Sequence, residues 1–132
     1  MSERIDPKVF REKLERRLTV LAVMTFRYLD ALPKKSSTSV ISYQLGKSAS
    51  SIGANYHEAN RAESRDDFTH KIQIALKEAS ESCYWFGVLA ELYPTHETGK
   101  RLQAECLEIR NLLQAIGKTL HASKRIPKSP SP

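Results

Sequence analysis

Four stretches of the chain repeat apolar residues at spacings of three and four, and this pattern limits the fold more than any other feature. Such spacing lines one face of an α-helix with buried side chains. The first stretch shows it most clearly, at Phe10, Leu14, Leu18, Leu21, Thr25, Tyr28 and Leu32. No segment alternates apolar and polar residues as a half-buried strand does. The sequence therefore predicts an all-α protein.

Helix start and stop signals divide these stretches into four helices over about 7–32, 38–63, 65–92 and 96–122. Asp6 can cap the first helix and Pro7 suits its first position, whereas Pro33 must end it. Ser64 with Asp67 forms a weak capping box for the third helix. Three short connections predict an antiparallel up-down-up-down four-helix bundle over residues 1–123. The basic, proline-rich tail 124–132 is expected to be disordered.

Length and charge narrow the class of protein. A chain of 132 residues fits one domain. Its longest apolar run is too short to span a bilayer, and its start lacks the apolar core of a secretion signal, so we expect a cytoplasmic protein without membrane association. The 21 Lys and Arg outnumber 15 Asp and Glu, for a net charge of +6. This balance raises the odds of a polyanionic partner without establishing one.

No arrangement of residues indicates catalysis, a metal or a cofactor. His57 and Glu58 begin like the zinc-protease signature HExxH, but Arg61 stands where the second histidine is needed. Cys83 and Cys106 belong to no CxxC pair, and each falls on an apolar helical stripe, as buried free thiols do. We therefore expect a protein that is not an enzyme.

The third predicted helix has more apolar surface than one neighbouring helix would cover. The second helix presents a face of small residues, which lets another backbone approach closely. Both features suit a helix at the centre of a bundle or at an interface between subunits. The candidates for packing between subunits are Ile52, Ile74, Trp85 and Leu89.

Four polar residues lie close to these apolar stripes: Asn55, Glu58, Glu78 and Glu81. Spacings of three place the first two on one side of the second helix and the last two on one side of the third. They form either a solvent-facing surface or a hydrogen-bonded network between helices or subunits. Burial without partners would cost several kcal/mol, on the order of a lost hydrogen bond or more, so one of these two must hold.

The central segment also carries a family resemblance. Its motif is Ser51-Ile52-x-x-Asn55-x-x-Glu58, followed by Arg61, Ser64, Asp67-Phe68, the run from Lys71 to Glu81, and Trp85. This pattern resembles the bacterial four-helix-bundle family of 23S rRNA intervening-sequence proteins, which also includes the accessory variability determinant protein of diversity-generating retroelements. The resemblance implies a homopentameric ring with basic surface for RNA or DNA. In the retroelement branch it also implies a reverse transcriptase as partner.

Two functions follow as hypotheses. The first is a non-enzymatic, oligomeric nucleic-acid-associated protein, and the alternative is a protein-interaction adaptor that docks a partner such as a reverse transcriptase. Exposed cations would contact the phosphates of a nucleic acid. The candidates are Arg11, Arg16, Arg17, Lys34, Lys35, Lys118, Lys124, Arg125 and Lys128.

Overall fold

The structure, a computed structural model, describes residues 4–125 and the side chains of residues 4–121. Within that part the chain forms four α-helices and no strand. These are α1 (Pro7–Asp30), α2 (Ser36–Ala59), α3 (Arg65–Leu92) and α4 (Glu97–Arg125). The all-α, four-helix prediction is confirmed.

Two of the predicted helix starts are made as expected. The Asp6 carboxylate accepts a hydrogen bond from the Lys8 amide at 2.9 Å, and Pro7 occupies the first helical position. The Ser64 hydroxyl accepts from the Asp67 amide at 3.0 Å. Each bond satisfies an amide that has no partner within its own helix.

The remaining helix ends differ from the prediction by a few residues. Helix α1 ends at Asp30, and α2 runs from Ser36 to Ala59 rather than to residue 63. Helix α4 continues to Arg125, so the first two residues of the predicted disordered tail are helical. Residues 126–132 of that tail lie outside the described part.

The core is built from the periodic apolar residues. Leu18, Leu45, Ile72 and Ile109, one from each helix, are fully buried. Successive helices pack on each other and α1 also contacts α4, which closes the bundle; the contact between α2 and α3 is the largest and that between α1 and α4 the smallest. The four helices therefore surround one continuous core.

Contacts between α1 and α2 follow a regular register. Along the first pair, Gly53 lies against Leu18 and Gly46 against Phe26, so the residue number falls along α2 as it rises along α1. A methyl group added at Gly53 would lie 3.3 Å from Leu18 Cβ. The small-residue face of α2 thus receives α1, as the sequence suggested for a close helix contact.

Two residues proposed for packing between subunits are placed inside the monomer instead. Ile52 and Leu89 each have 0% of their surface exposed and belong to the core of the single chain. Neither has surface left to bury against a second subunit, so this assignment was wrong for both. Ile74 and Trp85 keep part of their surface exposed.

Among residues 4–125, no helix has the length and hydropathy of a membrane span.

Candidate nucleic-acid interface

Lys34 and Lys35 lie in the turn between α1 and α2, at one end of the bundle, and both are exposed. They border an open cleft whose other lining is mostly hydroxyl-bearing. The full lining is Leu29, Leu32, Pro33, Lys34, Lys35, Ser36, Thr38, Ser39 and Ser42. Two lysines and four hydroxyl-bearing residues thus line one concave surface.

The same cleft contains the N-terminus of α2. The buried Thr38 hydroxyl accepts from the Lys35 amide at 3.0 Å and donates to the Pro33 carbonyl, which holds the turn in shape. The Lys35 side chain makes no capping bond, and the first turn of α2 contains no acidic residue. The positive end of the helix dipole therefore adds to the charge of the two lysines, an arrangement suited to an anion.

Arg17, also proposed as a nucleic-acid contact, forms ion pairs with two carboxylates of α4 instead. Its guanidinium donates to both carboxylate oxygens of Glu105, at 2.8 and 2.5 Å, and to Glu108 at 2.6 Å. These bonds raise the pKa of Arg17 and lower the pKa of the Glu105 carboxyl. A cation neutralised by two carboxylates cannot also hold a phosphate strongly, so Arg17 joins α1 to α4 instead.

The other candidate cations do not gather around Lys34 and Lys35. Arg11 and Arg16 are exposed in the first half of α1, and Lys118 is exposed near the end of α4. Lys124 and Arg125 are helical, but their side chains lie outside the described part, as does Lys128 entirely.

The four polar residues do not form one network. Asn55 donates to the Ser51 carbonyl of its own helix at 2.8 Å, and exposed Glu81 accepts from the Trp85 indole one turn away at 3.3 Å. Glu58 pairs with Lys71 across α2 and α3 at 2.9 Å. Glu78 is partly buried. Asn55 and Glu81 thus bond within their own helices and Glu58 bonds across to α3, so no network links these three within one chain. A network between subunits stays a prediction.

A different polar cluster, missed from the sequence, joins α1 to the end of α2. One Glu15 carboxylate oxygen lies 2.6 Å from the Arg61 guanidinium and 3.0 Å from His57 Nδ1. The hydrogen bond from Arg61 is the main cause of a lowered pKa at Glu15. His57 lies in the last turn of α2 and Arg61 in the turn that follows, but only the register with α1 identifies Glu15 as their partner.

A second missed contact is buried between α2 and α3. The Ser82 hydroxyl donates to the Ser48 hydroxyl at 2.8 Å, and both side chains are fully buried. Serine is usually exposed, and Ser82 was not predicted as core. Within residues 4–125, no three His, Cys, Asp or Glu side chains are grouped to hold a metal ion.

Comparison with known proteins identifies the family. The family model of the 23S rRNA-intervening sequence protein matches residues 14–115, more than three quarters of the chain. The chain belongs to this family. A solved structure of a protein with unknown function from the S23 ribosomal protein family of Bacteroides thetaiotaomicron is 37% identical to it. The alignment covers 79% of this chain and 97% of that one, with a TM-score of 0.71. No curated protein matches the chain.

The extent of the family match separates the candidate cations. Lys34 and Lys35 lie within residues 14–115, together with the whole cleft around them. Arg11 and Lys118 lie outside that range, as do the cations that follow Lys118. Arg16 and Arg17 also lie within the matched range, so the turn between α1 and α2 is one of the basic sites inside it.

Proposed function

We propose that this family member is a non-enzymatic, oligomeric protein of the cytoplasm that associates with RNA or DNA through the cleft at Lys34 and Lys35. One observation carries the proposal: two exposed lysines, several hydroxyl-bearing residues and a helix N-terminus whose N-cap side chain makes no capping bond share one concave surface. Backbone amides at a helix N-terminus and lysine side chains both bind phosphate oxygens. The family's name, which refers to an intervening sequence of 23S rRNA, agrees with such a ligand.

The cleft favours contact with the nucleic-acid backbone over contact with base edges. Its polar groups are ammonium, hydroxyl and amide donors, which suit phosphate oxygens, and the described lining includes no aromatic side chain on which a base could stack. We therefore expect binding that depends strongly on salt and weakly on base sequence.

The test is fluorescence anisotropy with a labelled single-stranded RNA across a range of salt concentrations. We expect the wild-type affinity to fall steeply as salt rises. The double variant Lys34→Gln/Lys35→Gln should bind more weakly and show a salt slope smaller by about 1.4 per engaged subunit, since each phosphate contact contributes roughly 0.7 for a single strand.

The matched control removes the same charge from the middle of the bundle. Lys47 and Lys77 are exposed on α2 and α3, away from the cleft, so Lys47→Gln/Lys77→Gln should retain most of the wild-type affinity. Equal losses in the two double variants would reject the cleft as the site. Absence of wild-type binding at low salt would reject the proposed function itself.

We further propose that the bundle runs up-down-up-down, with antiparallel neighbours, and assembles as a homopentameric ring. At the contacts between α1 and α2, the residue number falls along α2 as it rises along α1, which supports antiparallel packing of neighbouring helices. On α3, spacings of four, three and four place Ile74, Glu78, Glu81 and Trp85 on one side, partly outside the monomer's core. A ring would multiply each basic cleft around one axis.

Light scattering measures the number of subunits directly. We expect several copies of the 15.0 kDa chain, with five as the predicted number. Trp85→Lys should shift the mass toward that of one chain, because it places a charge on the proposed interface. Arg16→Lys is the control with no such effect. A wild-type monomer at micromolar concentration would overturn the ring.

The alternative is an adaptor that docks a protein such as a retroelement reverse transcriptase. The observation that favours it is apolar surface on α1 and α2, where Phe26, Val40 and Tyr43 are 46%, 58% and 67% exposed. Tyr43→Glu should then abolish capture of a purified reverse transcriptase after nuclease treatment. Capture that needs nucleic acid, or that survives this variant, would argue against the adaptor function.

A further inference from the structure

Cys83 on α3 and Cys106 on α4 face each other, although 23 residues separate them in the sequence. Their sulfur atoms lie 3.4 Å apart, and both thiols are free. A disulfide needs its sulfurs at about 2.05 Å. The two sulfurs are therefore in contact, and a modest side-chain movement would bring them to bonding distance.

The two cysteines have different surroundings. Cys106 is fully buried, and its sulfur lies 3.6 Å from the Ala79 carbonyl oxygen of the neighbouring helix. Cys83 keeps part of its surface exposed. A small oxidant can therefore reach Cys83 directly, whereas Cys106 has no exposed surface of its own.

Electrostatics assign the same roles. The hydrogen bond between the two thiols, supported by the positive charge of Arg110, lowers the pKa of Cys83 to about 7. The pKa of Cys106 is raised, first by that hydrogen bond and then by burial. Because the thiolate is the nucleophile, Cys83 is the thiol that reacts first.

We propose that Cys83 and Cys106 form a peroxide-sensitive dithiol site that joins α3 to α4 through a reversible disulfide. The Cys83 thiolate attacks one oxygen of a hydroperoxide, the O–O bond breaks, and Cys83 becomes a sulfenic acid while hydroxide or alkoxide leaves. The Cys106 sulfur then attacks the Cys83 sulfur. The S–S bond forms, the S–O bond breaks, and the departing oxygen takes the Cys106 proton to leave as water.

Peroxide is the oxidant and two cysteine thiols are the reductant, so the electrons balance without a cofactor. A reducing compartment keeps such a pair as thiols, and the bond forms only under oxidising stress. This site is independent of the proposed nucleic-acid function, because it lies on α3 and α4, away from the turn between α1 and α2.

The test treats the reduced, full-length protein with a small excess of hydrogen peroxide and measures its intact mass. We expect the loss of two hydrogen atoms, resistance of both cysteines to alkylation, and a cross-linked peptide containing Cys83 and Cys106. The thermal midpoint should rise by about 5 to 15 °C and return to its initial value with dithiothreitol, since the bond closes a loop between two helices.

Single variants separate the two roles. Cys106→Ala should leave Cys83 as a sulfenic acid that a dimedone probe captures, whereas Cys83→Ala should leave Cys106 unreactive toward both peroxide and dimedone. Circular dichroism checks that each variant is folded. Three outcomes would overturn the proposal: both thiols alkylated after treatment, a disulfide between chains, or Cys83 oxidised to sulfinic acid beside a free Cys106.

Discussion

The contacts α2–α3 and α1–α4 hold the same bundle together in different ways. The first is the largest helix contact and the second the smallest. Between α2 and α3 the buried side chains include Ile52, Ile72 and the hydroxyl pair of Ser48 and Ser82. Between α1 and α4, much of the linkage is polar: Arg17 binds Glu105 and Glu108.

This difference determines what each contact is sensitive to. A closely packed interface of small and apolar residues responds to side-chain volume, because protein interiors leave few voids. A contact made by partly exposed ion pairs responds to pH and salt instead, and each pair contributes little on its own. Changes in side-chain volume should therefore weaken mainly the α2–α3 contact, whereas changes in pH and salt should weaken mainly the ion pairs between α1 and α4.

The largest expected effect is overpacking between α2 and α3. Ser82→Leu forces a larger side chain into a fully buried position and removes the donor to Ser48. We expect a loss of about 3 kcal/mol in the free energy of unfolding. Denaturant titration followed by circular dichroism measures it.

The control uses the same substitution two residues away. Ser80 is exposed on the same helix, so Ser80→Leu should change the free energy of unfolding by less than about 0.5 kcal/mol. Leucine is a better helix former than serine, so similar losses in the two variants would show that packing against α2 does not set the cost.

The next effect concerns the start of α4, where Gly99 lies against α1. A methyl group there would lie 2.6 Å from the Tyr28 hydroxyl oxygen, which is hydrogen-bonded to His96 Nδ1 at 2.9 Å. Because Tyr28 is buried, it can yield only by giving up that bond. We expect Gly99→Ala to cost about 1 to 2 kcal/mol in thermal or denaturant unfolding.

Gly117 provides a matched comparison on the same helix. Nothing lies within 4 Å of a methyl group added there. Gly117→Ala should therefore stabilise the protein by about 0.5 to 1 kcal/mol, through reduced freedom of the unfolded chain and better helix propensity. Stabilisation by both alanines would mean that Tyr28 adjusts freely to the added methyl group, and that this part of the α1–α4 contact is not sensitive to side-chain volume.

The ion pairs of Arg17 should produce a smaller, pH-dependent effect. Arg17 lowers the folded-state pKa of Glu105 below its usual 4.5, so the pair stabilises the fold above that value, and the stability is lost as pH falls through the lowered pKa. We expect Arg17→Gln to cost about 0.5 to 1 kcal/mol at pH 7, since both side chains are about one third exposed.

Unfolding measured from pH 7 to pH 3 checks both the size and the direction. The difference between wild type and Arg17→Gln should shrink below about pH 4.5, where the unfolded carboxyl becomes protonated. Arg16→Gln, at the adjacent exposed position, should cost little at any pH. A cost for Arg17→Gln that stays constant down to pH 3 would assign the role of Arg17 to packing of its aliphatic stem.

Local signals made much of the fold predictable. The spacing of Leu14, Leu18 and Leu21 identified one buried face of α1, and all three residues are in the core. The caps at Asp6 and Ser64 form as predicted because each bond spans only two or three residues. Helix length, amphipathic faces and caps depend on residues close together in the chain, so they can be predicted from a single sequence.

The partners of the candidate site residues depend on the register between helices, which a single sequence does not reveal. Arg17 was placed among free cations because its partners, Glu105 and Glu108, are about ninety residues away. Ile52 and Leu89 were assigned to a subunit interface because periodicity shows that a side chain is buried, but not by which neighbour. Lys34 and Lys35 were predictable as exposed because a turn has few neighbours.

The smallest predicted effect tests whether ion pairs matter equally at the two contacts. Glu58 and Lys71 join α2 to α3 at 2.9 Å, and the pair lowers the pKa of Glu58. Glu58 is 58% exposed, however, and makes a single ion pair, whereas Arg17 binds two carboxylates. Glu58→Gln should therefore leave the unfolding midpoint within experimental error at 150 mM salt, roughly physiological ionic strength, where such pairs are screened. A destabilisation as large as that of Arg17→Gln would show that α2–α3 also depends on charge. Since the buried side chains of that contact remain in place in the variant, packing alone would then be insufficient to explain its strength.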